Sequence, residues 1–267
     1  MRSVVVSGSS ITNDQPWPTW ATWVMHRYSG NNFVDVSQKG LGNEAIITRA
    51  VAQAQSIEKP LIIVQLTNVD KWDWYVEDPV LLKQLGQEKH KVSCILPTDT
   101  SGFWSTGSHF PEWKSYYQKH YLSLQYQMWH TLLLIHWFQM TCKAQHWDNY
   151  IIFDSPCLAV TEQQLNKGLL NIQDCNNINL ANNSLCGLVY DLIDWSEIYQ
   201  PGLIGHAVLN NMNWWSPKSK GHPGSLVHWS FVKKIIVPVL DRMLNPCQDL
   251  EKCLAQAQRM QNLFDQR

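Results

Sequence analysis

The sequence predicts an α/β protein in which a parallel sheet carries helices on both faces. Three features predict it. Short β-branched and apolar runs recur along the chain, too short for helices and without alternation (SVVVS at 3–7, PLIIVQL at 60–66, YIIFD at 150–154). Stretches with helical spacing of apolar residues separate them. Small or polar turn formers follow each run directly. Strands buried on both faces read as continuous apolar runs, and their alternation with helices is the pattern of a doubly wound sheet.

The elements follow in order. Ser3 to Ser7 is a buried strand ending in Gly8-Ser9-Ser10. Trp17 to Tyr28 has Trp20, Trp23, Val24 and Arg27 at helical spacing, with prolines only near its start, where they are tolerated. Asn32 to Ser37 is a short second strand, and Gly40-Leu41-Gly42-Asn43 is a turn. Glu44 to Gln55 is an amphipathic helix with Ile46, Ile47, Ala50, Val51 and Ala54 along one face. Pro60 to Leu66 is the third strand.

Residues 70–112 break this rhythm and read as an irregular, aromatic-rich insertion after the third strand. A long helix is predicted from Trp113 to about Lys143, then a fourth strand at Tyr150 to Asp154. The Asn-rich stretch 171–184 reads as a surface loop, and Leu188 to Trp195 is apolar but of undecided type. Helices are predicted at Ser225 to Leu244 and, at the C-terminus, at about 248–264. No repeat or linker divides the 267 residues, so a single domain is expected.

Composition narrows the function. The chain is 45% hydrophobic and 16% charged, enough to bury a sizeable core. Its formal charge is −1 and no basic block exceeds two residues, which argues against electrostatic binding to nucleic acid or to a membrane surface. The N-terminus has no long apolar segment and no run of 18 apolar residues occurs, so a cytoplasmic location is expected. The seven cysteines show no metal-ligand or CxxC spacing and read as reduced, mostly buried thiols. The histidines show no HxH or HExxH spacing, and no phosphate-binding glycine pattern occurs; neither metal nor cofactor is expected.

In an open α/β sheet, ligands bind at the carboxyl ends of the strands. The first strand delivers Ser9-Ser10-Ile11-Thr12 there, the second Gly40-Leu41-Gly42-Asn43, and the third Thr67-Asn68. Gly221-His222-Pro223-Gly224-Ser225 opens a C-terminal helix. A serine hydroxyl becomes a nucleophile only when a base takes its proton, and a histidine is the usual base. The plainer alternatives are that Ser10 and His222 cap helices, and that Thr67 and Asn68 form a turn.

These segments, in this order, resemble the sequence blocks of the SGNH (GDSL-like) hydrolases. VVVSGSSIT resembles the first block and aligns Ser10 with the family's nucleophile. KGLGN resembles the second, whose glycine N–H maps onto Gly40. VQLTN stands where the third block has Gly-x-Asn, giving Thr67 or Asn68 as a side-chain donor, with Gln65 at the glycine. GHPGSLVHW resembles the last block and aligns His222 with the base. The resemblance implies a three-layer α/β/α, flavodoxin-like sheet of the SGNH hydrolase fold. It also implies an oxyanion hole from Ser10, Gly40 and Thr67 or Asn68.

Two positions depart from the family. Ser9 stands where the first block has aspartate, and Ser219 stands where the triad aspartate precedes the histidine. No acidic residue occurs between Glu197 and Asp241, which leaves a backbone carbonyl, Ser219 or a distant acid, with Asp194 the nearest upstream aspartate, to orient the histidine. The expected function is a serine esterase acting on a small acyl ester, with an O-acetylated carbohydrate as one substrate class. An acyltransferase with the same Ser–His pair, or a non-catalytic binding or assembly module on a degenerate SGNH scaffold, are the alternatives. Trp72, Trp74 and Trp104, in the aromatic insertion, are the candidates for substrate contacts. The oligomeric state is not legible.

Overall fold

A computed structural model of the chain describes residues 1–13, 17–38, 40–69, 71, 73–76, 103–106, 123–155, 184–215 and 222–266. Five strands form one parallel sheet: β1 (Ser3–Ser7), β2 (Asn32–Asp35), β3 (Leu61–Leu66), β6 (Asp148–Phe153) and β7 (Ile198–Tyr199). Their order is β2-β1-β3-β6-β7. The chain adds β2 on one side of β1 and the three later strands of this sheet on the other. The sheet therefore reverses its direction of growth between β1 and β3, where open α/β sheets place their ligands.

Alternate strand residues feed two separate cores. Val4, Val6, Leu61, Ile63, Tyr150 and Ile152 face one layer of helices. That layer comprises α2 (Trp20–Arg27), α6 (Gly202–Leu209), α7 (Ser225–Phe231), α8 (Val237–Leu240) and α9 (Leu254–Asp265). Val5, Ile62, Val64, Leu66, Ile151 and Phe153 face α3 (Asn43–Ala54), α4 (Leu124–Gln145) and α5 (Gly187–Tyr190). The three-layer α/β/α arrangement follows. Each fully buried Val, Leu or Ile contributes about 1.5–3 kcal/mol relative to exposure, and β3 is buried along its whole length.

Several boundaries differ from the sequence expectation for identifiable reasons. Residues 70–112 are not wholly irregular. β4 (Asp73–Val76) and β5 (Phe103–Thr106) pair antiparallel, and their four-residue lengths and wide separation gave no hairpin signal. The long helix is described from Leu124, with 113–122 outside the described residues. It ends where His146 adopts the left-handed conformation and Trp147 N–H returns to the Cys142 carbonyl. Strand β7 has only two residues, and α6 begins at Gly202 directly after Pro201, a dipeptide that reads as a turn. Gly202 has φ of 68°, and a Cβ there would sit 2.5 Å from the Phe153 carbonyl oxygen.

The helix expected at Ser225 to Leu244 widens into a π turn at Val232–Ile236 before α8. Pro238 lies just beyond, and a proline cannot supply the N–H that an α-helix needs there. The C-terminal helix begins with a 3₁₀ turn at Leu250–Cys253. The expected loop 171–184 lies, except for Ser184, outside the described residues. Cys142, Cys186 and Cys253 are buried free thiols and Cys247 is an exposed one; Cys94, Cys157 and Cys175 lie outside the described residues. Among the described residues, no helix is long and apolar enough to cross a membrane.

Candidate active site

Ser10 opens the four-residue helix α1 (Ser10–Asn13) directly beyond β1. The sequence compacts this turn in a specific way. Gly8 has the Thr12 side chain folded over it, so that a Cβ at position 8 would lie 1.9 Å from Thr12 Oγ1. Thr12 Oγ1 donates to Gln65 Oε1 at 2.6 Å, and Trp20 Nε1 donates to the same oxygen at 2.6 Å. Gln65, which stands at the glycine of the resemblance, is thus a buried acceptor tying β3 to the turn after β1 and to α2.

Across the site, His222 and Pro223 precede α7. The Trp17 indole N–H donates to the Pro223 carbonyl at 2.9 Å and fixes this segment against the residues that follow the Ser10 turn. Ser10 Oγ and His222 Nε2 are 2.9 Å apart. An imidazole nitrogen at that distance can take the hydroxyl proton. Two residues 212 positions apart in sequence therefore meet at the carboxyl edge of the sheet.

A second histidine lies close behind. His228 is fully buried in α7, and its Nδ1 accepts the Trp20 backbone N–H at 3.0 Å. An accepting Nδ1 carries no proton, so the ring is the neutral Nε2–H tautomer. Burial pushes its pKa down to about 3, and His222 nearby pushes the same way.

The loop from β2 reaches the site through Gln38, whose N–H donates to the Gly8 carbonyl at 3.0 Å. Gly40 follows with φ of 82°, a conformation that favours glycine. Gly42, two residues on, has a different role. Its N–H donates to Asp73 Oδ1 at 2.7 Å, and the other oxygen of Asp73 accepts from Ala45 N–H at 2.9 Å. Asp73 thereby caps α3 from β4, and a Cβ at Gly42 would meet Asp73 Oδ2 at 2.7 Å.

Thr67 and Asn68 follow β3, on the far side of the switch point from Ser10, and each is 1% exposed. Thr67 is locked. Its N–H donates to Asn43 Oδ1 at 2.8 Å, and its carbonyl accepts from Asn43 Nδ2 at 3.0 Å. The Asn68 side chain is held at its oxygen, which accepts from Ser155 Oγ at 2.9 Å. Its Nδ2 is buried and has no partner among the described residues. A buried amide donor without a partner, at the carboxyl end of the strand next to β1, can donate to an oxygen that comes within its reach.

Sequence reasoning missed Asn43, Gln65 and Asp154. Asn43 had a signal, as the polar residue closing KGLGN. Asp154 directly follows β6, is 2% exposed, and accepts from Ser9 Oγ at a long 3.5 Å. Burial pushes its carboxyl up to about 7, opposed by the charge of Lys71 and the neighbouring hydroxyls of Thr67 and Ser9.

Asp194 does not orient His222. It precedes β7 and so lies at the amino edge of the sheet, where its carboxylate accepts from Ser196 N–H and Oγ. Position 219 lies outside the described residues, as does Trp72. Trp74 and Trp104 lie on β4 and β5, where their backbones pair with Ser105 and Tyr75; their side chains are outside the described residues. Among the described residues no cluster of side chains could hold a metal ion.

No family model and no curated protein matches the chain. Among solved structures it is similar to a catalytic mutant of an acetylxylan esterase from Geobacillus stearothermophilus, at 13% sequence identity and a TM-score of 0.31, over 79% of this chain and 91% of that one.

Proposed function

We propose that the chain is a serine hydrolase that cleaves a small acyl ester, with Ser10 as nucleophile and His222 as general base. The observation that carries this reading is the 2.9 Å approach of Ser10 Oγ to His222 Nε2 at the carboxyl edge of the parallel sheet. The resemblance of four ordered segments to the SGNH blocks supports it independently.

Ser10 Oγ attacks the ester carbonyl while its proton passes to His222 Nε2. The oxyanion is held by the Ser10 and Gly40 N–H groups and by Asn68 Nδ2. The Thr67 N–H is engaged by Asn43 and its hydroxyl lies against the Asp154 carboxyl, so we assign the side-chain donor to Asn68. His222 then returns the proton to the departing alcohol oxygen, leaving Ser10 acylated. Water attacks the acyl carbon, His222 takes its proton, and the carboxylic acid leaves as Ser10 recovers its hydroxyl hydrogen.

Hydrolysis of p-nitrophenyl acetate tests the reading. The unaltered chain releases nitrophenolate, whereas Ser10→Ala and His222→Ala each fall by a factor on the order of 10³ or more, and the double variant falls no further. Turnover that survives Ser10→Ala contradicts it.

A further inference from the structure

A cavity of about 170 Å³ opens between the start of α3, the segment after β3 and the first turns of α4. Its lining adjoins the Thr67-Asn68 segment. Asn43 lines it and holds the Thr67 peptide, and Val69 follows Asn68 directly. Ser10 and Thr67 each stand three residues beyond a paired position of β1 and β3, Ser7 and Val64. Neighbouring strands are about 4.8 Å apart, so the Thr67 end of β3, which Asn43 ties to the cavity wall, lies one strand over from the Ser10 turn.

Its chemistry narrows the occupant. One wall is the Tyr126 ring, 47% exposed, with the His130 ring parallel to it within 6° at 6.2 Å. Glu44 and Lys71 also line the cavity, with Asp73 beside them. An acyl tail would desolvate these charged groups for contact with little more than Val69 and Leu134. An anion would meet two carboxyl groups, and a cation would meet Lys71. A neutral molecule bearing several hydroxyls satisfies both signs at once, donating to the carboxylates and accepting from the ammonium. Its less polar ring face would lie on the aromatic wall. The volume is slightly above the ~150 Å³ of an engineered cavity that holds benzene, the size of one six-membered ring.

The geometry points to this cavity as the binding site for a neutral, polyhydroxylated six-membered ring, the alcohol part of the ester, with Tyr126 and His130 as its platform. The assignment to the alcohol part rests on the esterase reading of Ser10; the ring site itself does not.

Saturation-transfer NMR on the Ser10→Ala chain, which cannot turn over an ester, tests it with methyl β-D-glucopyranoside and with cyclohexanol as the ring lacking hydroxyls. The glucopyranoside receives saturation and cyclohexanol does not. Tyr126→Ala weakens glucopyranoside binding about tenfold, equivalent to about 1.4 kcal/mol, and His130→Ala weakens it in the same direction. Failure of the glucopyranoside to bind at tens of millimolar overturns the inference. So does equal saturation of both probes, or binding unchanged in Tyr126→Ala. The two readings fail separately. A chain that binds the pyranoside but shows no Ser10-dependent esterolysis loses the esterase and keeps the ring site; the converse result loses the ring site alone.

Discussion

Asn43 grips the Thr67 peptide from both sides, accepting its N–H at 2.8 Å and donating to its carbonyl at 3.0 Å, while the same amide nitrogen reaches Thr131 Oγ1 at 3.3 Å. One buried side chain from α3 thus sets the backbone beside Ser10 and ties it to α4. Asn43→Ala strands both backbone groups. A buried unsatisfied polar group costs about 1–3 kcal/mol, so the variant is expected to lose about 2–4 kcal/mol in urea unfolding. Asn43→Asp keeps the acceptor but not the donor and is expected to fall between. A loss below about 0.5 kcal/mol for the alanine variant, within ordinary surface-substitution scatter, contradicts this account.

The adjacent residues Thr67 and Asn68 are expected to separate by function. Asn68→Ala is expected to lower kcat by about 10²–10³, the usual loss for one oxyanion donor, with little change in KM. Thr67→Val keeps the peptide that Asn43 holds and removes only the hydroxyl; its kcat is expected to stay within about tenfold, far short of a donor's loss. The reverse order of effects assigns the donor to Thr67.

Gly8 and Thr12 form a packed pair within the nucleophile turn. A Cβ at position 8 would lie 1.9 Å from Thr12 Oγ1, and that hydroxyl is anchored on Gln65. Gly8→Ala is expected to cost about 1–3 kcal/mol through overpacking. Combined with Thr12→Ala it should cost less than the two single changes added together, because the second change removes the obstructing oxygen. Simple additivity in thermal unfolding would show that the two positions do not collide.

The strand runs of the sheet were legible because burial on both faces leaves nothing but apolar residues, as in VVV at 4–6 and LIIV at 61–64. β7 and α6 were not: a two-residue strand has no periodicity, and the Pro201-Gly202 pair marks a turn in most settings. Ser10, Gly40, the Thr67-Asn68 pair and His222 stood out by motif order. Asn43, Gln65 and Asp154 did not. Their roles arise from hydrogen bonds between residues 24, 53 and 145 positions apart, and no local pattern encodes such distances. Asp194 failed as the acid partner because proximity in sequence says nothing about which edge of the sheet a loop occupies.

Asp154 makes stability depend on pH. Burial holds its folded pKa up at about 7, whereas an unfolded aspartate titrates near ~3.9. Between those values the folded chain keeps a proton that the unfolded chain has lost. Stability therefore falls as pH rises through the window, by up to about 1.4 kcal/mol per pH unit, and levels off above it. Asp154→Asn has no such proton. The melting temperature of the unaltered chain is expected to drop by several degrees relative to this variant between about pH 4 and pH 7. Parallel profiles for the two proteins would remove the buried, protonated Asp154 from the account.

The central claim is that Ser10 is activated by His222. Incubation with a fluorophosphonate probe followed by peptide mass spectrometry measures it most directly. The account predicts one adduct on the peptide containing Ser10, absent from Ser10→Ala and strongly reduced in His222→Ala. An unlabelled Ser10, or labelling that does not depend on His222, contradicts it and leaves the chain as a binding module on an α/β scaffold.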